Sequence, residues 1–62
     1  MSTQKDLGNA EFKAQNFDKA IEFYTVAISE TPTDHSVYSN RSASYFKLNK
    51  FKEAIDDAEK CI

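Results

Sequence analysis

Apolar residues in this chain recur at intervals of three and four rather than two. Leu7, Ala10 and Ala14 form one series, and Ala20, Ile21, Phe23, Tyr24, Ala27 and Ile28 form a second. Val37, Tyr38, Tyr45 and Leu48 form a third, with Ala54, Ile55, Ala58, Cys61 and Ile62 making a fourth. That period marks α-helices with apolar faces, the second series being wide enough for burial on two sides. Turn and capping chemistry fills the breaks. Ser2 or Thr3 can cap a helix running to about Ala14, Gln15 and Asn16 make a turn, and Asn16 or Asp18 can cap a second helix from Asp18 to about Ser29. Pro32 disfavours a helical Thr31 and ends that helix. Thr33 or Asp34 caps a third over about His35 to Asn49, and a fourth starts near Phe51. The pattern predicts an all-α chain of four antiparallel helices joined by turns of a few residues, with no flexible linker. Tyr24 and Ala27, with Ala20, are expected in the core, together with Tyr45 and Ile55. Gly8 costs its helix about 1 kcal/mol relative to alanine, which suggests close approach of the next helix.

The chain also repeats itself. Sliding it by 34 residues pairs Phe12 with Phe46, Lys13 with Lys47, Phe17 with Phe51, Ala20 with Ala54, Ile21 with Ile55 and Ile28 with Ile62. The paired residues are mainly apolar and sit where two helices would meet, as a stacked helix-turn-helix repeat requires. Leu7-Gly8, Phe12, Phe17, Ala20, Tyr24, Ala27 and Pro32 fall at the spacing of the tetratricopeptide repeat, and the chain resembles that family over nearly its whole length. Lys5-Asp6-Leu7-Gly8-Asn9 and Tyr38-Ser39-Asn40-Arg41-Ser42-Ala43 are similar to the first such domain of the Hop/Sti-type heat-shock co-chaperones. The resemblance implies one tetratricopeptide domain, with repeat 1 over 1–34 and a partial repeat 2 over 35–62, and a protein-binding function without cofactor.

Lys5 and Asn9 lie four apart and project from one helix face, with Phe12 and Lys13 continuing the stripe. On an arbitrary helix this is a solvated polar face. The resemblance matches Lys5, Asn9 and Asn40 to three members of a dicarboxylate clamp, which holds the acidic Glu-Glu-Val-Asp type C-terminal tail of a cytosolic heat-shock chaperone. The chemistry suits a terminal aspartate: lysine supplies charge, while asparagine amides donate directional hydrogen bonds. By the same resemblance Lys47 reaches a further peptide group, and Phe12, Ala43 and Phe46 border an apolar pocket, although Phe12 and Phe46 fit a core role equally well. The clamp's remaining lysine and arginine belong to a third repeat, so the chain reads as a fragment. Two rivals stand beside this reading: a scaffolding repeat with no clamp, and a targeting module of a larger enzyme such as a phosphatase or prolyl isomerase.

Composition narrows the field. Eight basic and ten acidic side chains leave a net charge of −2, which favours neither nucleic acid nor an anionic membrane; Lys47, Lys50 and Lys52 read as a solvated edge. Cys61 is the only cysteine, so no intrachain disulfide forms, and the start shows no signal-peptide core. These features suit a soluble, cytoplasmic protein. Asp34-His35-Ser36 has the residue types of a hydrolase triad, but neighbours on a helix start point in different directions. Glu53, Asp56, Asp57 and Glu59 read as a solvated acidic face, Cys61 as core, and no second histidine offers a metal site. No enzyme is expected. Finally, Phe51, Ile55, Ala58 and Ile62 form a stripe on the last helix that lacks a cover, so the chain is expected to self-associate there.

Overall fold

The computed structural model describes residues 3–61, with Cys61 described by its backbone alone. It contains four helices: α1 (Gln4–Lys13), α2 (Phe17–Glu30), α3 (His35–Lys47) and α4 (Phe51–Cys61). Each packs on the next in chain order, and α1 also touches α3. The described residues contain no strand. The predicted caps are present at α1 and α3. Thr3 Oγ1 accepts from the Asp6 backbone N–H at 3.1 Å while Asp6 Oδ2 accepts from the Thr3 N–H at 3.3 Å, a reciprocal capping box. Asp34 Oδ1 accepts from the Ser36 N–H at 3.2 Å and from the Ser36 hydroxyl at 2.6 Å. Asn16 occupies the N-cap of α2 without a side-chain bond. The alternative Ser2 cap lies outside the described residues.

The internal repeat reaches the backbone. α1 ends with Asn16 N–H donating to Glu11 O at 2.8 Å and Gln15 N–H to Phe12 O at 3.0 Å; α3 ends with Lys50 N–H to Tyr45 O at 2.9 Å and Asn49 N–H to Phe46 O at 3.0 Å. Both are Schellman motifs, and both put a non-glycine residue in the left-handed region, Gln15 at φ 64° and Asn49 at φ 63°. The aromatic pairs beside these turns match as well: Phe12–Phe17 and Phe46–Phe51 each meet edge to face at 5.3 Å between centroids.

The core consists of Ala20, Tyr24, Ala27 and Val37, with Phe12 and Ile28 packed against it. Ala54 is buried separately on α4. The core lies beneath Gly8, as the close-approach reading requires: an added Cβ there would meet Tyr24 Cε1 at 2.6 Å and Cδ1 at 2.7 Å. At the matching position on α3, the Ser42 hydroxyl instead donates to the Ala54 carbonyl at 2.7 Å.

Four expectations are corrected. Ile55 is 58% exposed rather than buried, because it sits in an open depression between α3 and α4 that no further helix among the described residues covers. Tyr45 is half-buried. On α1 the buried residue is Gly8, whereas Ala10 and Ala14 are exposed and Leu7 half-buried, since α2 approaches along the glycine. Asp57 is 2% exposed, not part of a solvated face, because Arg41 pairs with it. Glu53, Asp56 and Glu59 are exposed as expected. The Cys61 side chain and Ile62 lie outside the described residues. No helix among the described residues is long and apolar enough to cross a membrane.

Candidate functional site

α1 and α3 lie side by side and bring Asn9 and Asn40 together. Asn40 Nδ2 donates to Asn9 Oδ1 at 3.1 Å, and the Tyr24 hydroxyl of α2 donates to the same oxygen at 2.6 Å. With Phe12 and Lys13 these three residues line an open cleft of about 200 Å³. Tyr24 is 1% exposed. Burial pushes its phenol above the ordinary pKa, and the adjacent Asn40 amide draws it part of the way back.

Lys5 stands one turn from Asn9 on α1, and its Nζ lies 3.4 Å from Asp34 Oδ2 at the start of α3. A separate depression beside it is lined by Thr3, Gln4, Ala27, Glu30, Thr31 and the same two residues. Both charged side chains are more than a third exposed, so this ion pair contributes little and opens readily. The Asp34 carboxyl is held below its ordinary pKa mainly by Ser36; burial opposes this, and Lys5 adds to it.

The site residues named from the sequence thus divide. Asn9 and Asn40 meet at the cleft with Phe12 on its border, whereas Lys5 lies one turn away on α1 beside the separate depression. Ala43, Phe46 and Lys47 do not line the cleft. Phe46 is 60% exposed and belongs to a different apolar depression with Ser42, Phe51, Ala54, Ile55 and Ala58. Lys47 is exposed near the end of α3 and Ala43 is half-buried.

Two participants went unread in the sequence. The apolar pattern marks Tyr24 as core alone, yet a tyrosine at a buried position needs a partner for its hydroxyl, and that need is a usable signal. Arg41 had no such signal. Its Nε and Nη2 donate to Asp57 Oδ2 and Oδ1 at 2.6 and 2.7 Å, and Nη1 donates to Thr25 Oγ1 at 3.2 Å. The guanidinium lies 5.9 Å from the Tyr38 ring centroid and 5.8 Å from that of Tyr45. Its pKa is raised mainly by the bond to Asp57, against the effect of burial. Arg41 thus ties α3 to α4 through Asp57 and to α2 through Thr25.

The Asp34, His35 and Ser36 side chains form no triad: the aspartate caps α3, while His35 Nδ1 faces Lys60 O at 3.3 Å. No group of three His, Cys, Asp or Glu among the described residues could hold a metal ion.

Comparison with known proteins finds sequence relatives of the repeat. Residues 35–62 match the tetratricopeptide repeat family model. The chain is 55% identical over 60 residues to heat shock protein STI1 of Saccharomyces cerevisiae, covering 94% of this chain and 10% of that protein. It is 48% identical over 59 residues to an Hsp70-Hsp90 organizing protein of Triticum aestivum, covering 95% of this chain and 10% of the relative. An Hsp70-Hsp90 organising protein of Plasmodium falciparum is 40% identical over 58 residues, covering 94% of this chain and 23% of its own length. The chain spans about a tenth of the length of the first of these relatives. No solved structure matches.

Proposed function

We propose that this chain, a tetratricopeptide-repeat interaction module related to the Sti1 and Hsp70-Hsp90 organizing co-chaperones, captures the carboxylates at the C-terminus of an acidic chaperone tail of the Glu-Glu-Val-Asp type. The observation that carries the reading is the adjacency of the Asn9 and Asn40 amides on a surface that also holds the Lys5 ammonium. Each amide has N–H capacity beyond the bond between them, and an ionised carboxylate accepts several such bonds. Lys5 supplies the opposite charge, with the ligand's carboxylate taking the place of Asp34, while Lys13 at the cleft adds a second cation. Phe12 offers an apolar wall for the side chain that precedes the terminal residue. Ala43, Phe46 and Lys47, on the far part of α3, are available only to upstream portions of the tail. The function is one of binding, exercised in the cytoplasm where such chaperone tails reside.

Three charge-assisted bonds contribute about 1.5–3 kcal/mol each, against an association cost of at least about 4 kcal/mol. The carboxylates alone therefore support an affinity no tighter than about 0.2 mM. Titration of a Glu-Glu-Val-Asp peptide tests the assignment: Asn9→Ala weakens binding several-fold, and added salt weakens it further. Equal affinity in the two proteins removes Asn9 from the site.

A second contact surface has its own observation. Phe46, Phe51 and Ile55 are 60%, 50% and 58% exposed along one side of α3 and α4. Large apolar groups contribute about 1.5–3 kcal/mol each when fully buried, so two copies of the chain gain by joining these faces, leaving the Asn9 cleft free. Sedimentation at rising concentration gives a dimer on this account, abolished by Ile55→Lys, whereas a folded monomer at high micromolar concentration contradicts it.

A further inference from the structure

We infer that the buried hydroxyl of Tyr24 sets the orientation of the Asn9 amide, making Tyr24 a positioning residue for carboxylate capture. The inference rests on the reading of the cleft given above. An asparagine side chain presents an acceptor on one edge and donors on the other, and only the donor edge suits a carboxylate. Tyr24 as a whole is 1% exposed, and its hydroxyl lies 2.6 Å from Asn9 Oδ1. A buried hydroxyl that merely accepts a bond leaves its own proton unpartnered, at a cost of about 1–3 kcal/mol. The phenol therefore donates, and the acceptor it finds is Oδ1 of Asn9, which faces inward. Asn40 Nδ2 donates to the same oxygen from the other side, so a turned amide would set its own donors against that of Asn40. With Oδ1 held by two donors, Asn9 Nδ2 is directed away from them, toward the cleft.

The position of the phenol is itself determined by packing. Gly8, one residue before Asn9, lets the Tyr24 ring lie against the α1 backbone where any Cβ would overlap it at 2.6 Å. The consecutive Gly8-Asn9 pair thus makes one device: the glycine admits the ring, and the ring's hydroxyl orients the asparagine.

The test uses Tyr24→Phe, which keeps the ring and removes the oxygen. Nitrogen-15 relaxation of the Asn9 side-chain amide reads its order without any ligand. A rigid amide, with an order parameter near ~0.8, is expected in the unaltered chain, falling below ~0.6 in Tyr24→Phe while the helices persist. In titrations with a free-acid Glu-Glu-Val-Asp peptide, Tyr24→Phe is expected to weaken binding about three- to tenfold. It adds no further loss in an Asn9→Ala background, since the two act through one group. An Asn9 amide that is mobile in the unaltered chain overturns the inference even if Tyr24→Phe fails to fold. Unchanged amide order in Tyr24→Phe, or additive losses in the double variant, does the same. If the unaltered chain does not bind the peptide, the proposed function fails, and the relaxation measurement still decides the orienting role.

Discussion

Removing Asp57 should cost this protein more than any exposed charge on its surface, because Arg41 would then be left in place without its partner. Arg41 and Asp57 are joined by two bonds of 2.6 and 2.7 Å, and their side chains are 14% and 3% exposed. At such burial, breaking one partner of an ion pair costs about 3–5 kcal/mol, since the remaining charge is desolvated and uncompensated. In Asp57→Ala only the 3.2 Å bond to Thr25 would remain for the guanidinium. A 62-residue chain has a total stability of about 3–9 kcal/mol, so Asp57→Ala should be partly unfolded at room temperature. The replacement of both partners, Arg41→Met with Asp57→Leu, removes the desolvation penalty together with the attraction and should lie within about 1 kcal/mol of the unaltered chain. Urea melts followed by helical circular dichroism measure both variants. The reasoning is refuted if Asp57→Ala costs less than about 1 kcal/mol, or if the double replacement is as unstable as the single one.

Gly8→Ala gains about 1 kcal/mol of helix propensity but drives a Cβ to 2.6 Å from the Tyr24 ring, an overpacking that costs about 1–3 kcal/mol; thermal melts should show a net loss, and a more stable variant contradicts the packing. Gln15→Gly relieves a left-handed residue at φ 64° and, after glycine's added unfolded-state entropy, should stabilise by about 0.5–1 kcal/mol in urea melts. Asn49→Gly should gain less, because asparagine tolerates that region. The depressed Asp34 pKa means that its stabilising contribution is present above the ordinary aspartate range and lost as pH falls through the lower folded value. Asp34→Ser, which can still cap α3, should therefore flatten the acid limb of stability against pH, and an unchanged limb assigns that loss to other carboxylates.

Periodicity made the helices legible because apolar spacing and capping residues act locally: Thr3, Asp34 and Pro32 mark boundaries within a residue or two. The placement of Lys5 and Asn9 one turn apart was legible for the same reason, being a property of the single helix α1. What escaped the sequence depends on what stands opposite. Ile55 has the pattern of a core residue, but a pattern specifies a face and not its cover. Asp57 sits in an acid-rich helix with nothing local to separate it from Asp56; only the approach of Arg41 from α3 does so. Phe46 matches Phe12 in the repeat, yet it lies by Phe51 at the far end of α3 and not in the cleft. The inward edge of Asn9 was beyond any single-helix argument, since it is decided by a phenol from α2 and an amide from α3.

The central claim is that this surface recognises a terminal carboxylate, and the direct measurement is an NMR titration of the chain with one Glu-Glu-Val-Asp peptide in free-acid and C-terminally amidated forms. Amidation removes one carboxylate charge and leaves every side chain of the peptide unchanged. The account predicts saturable shifts of the Asn9 and Asn40 side-chain amides with the free acid, and binding at least about tenfold weaker with the amide, the loss of one charge-assisted bond. Equal affinity for the two forms, or shifts confined to α4 with the Asn9 and Asn40 amides unmoved, would contradict it.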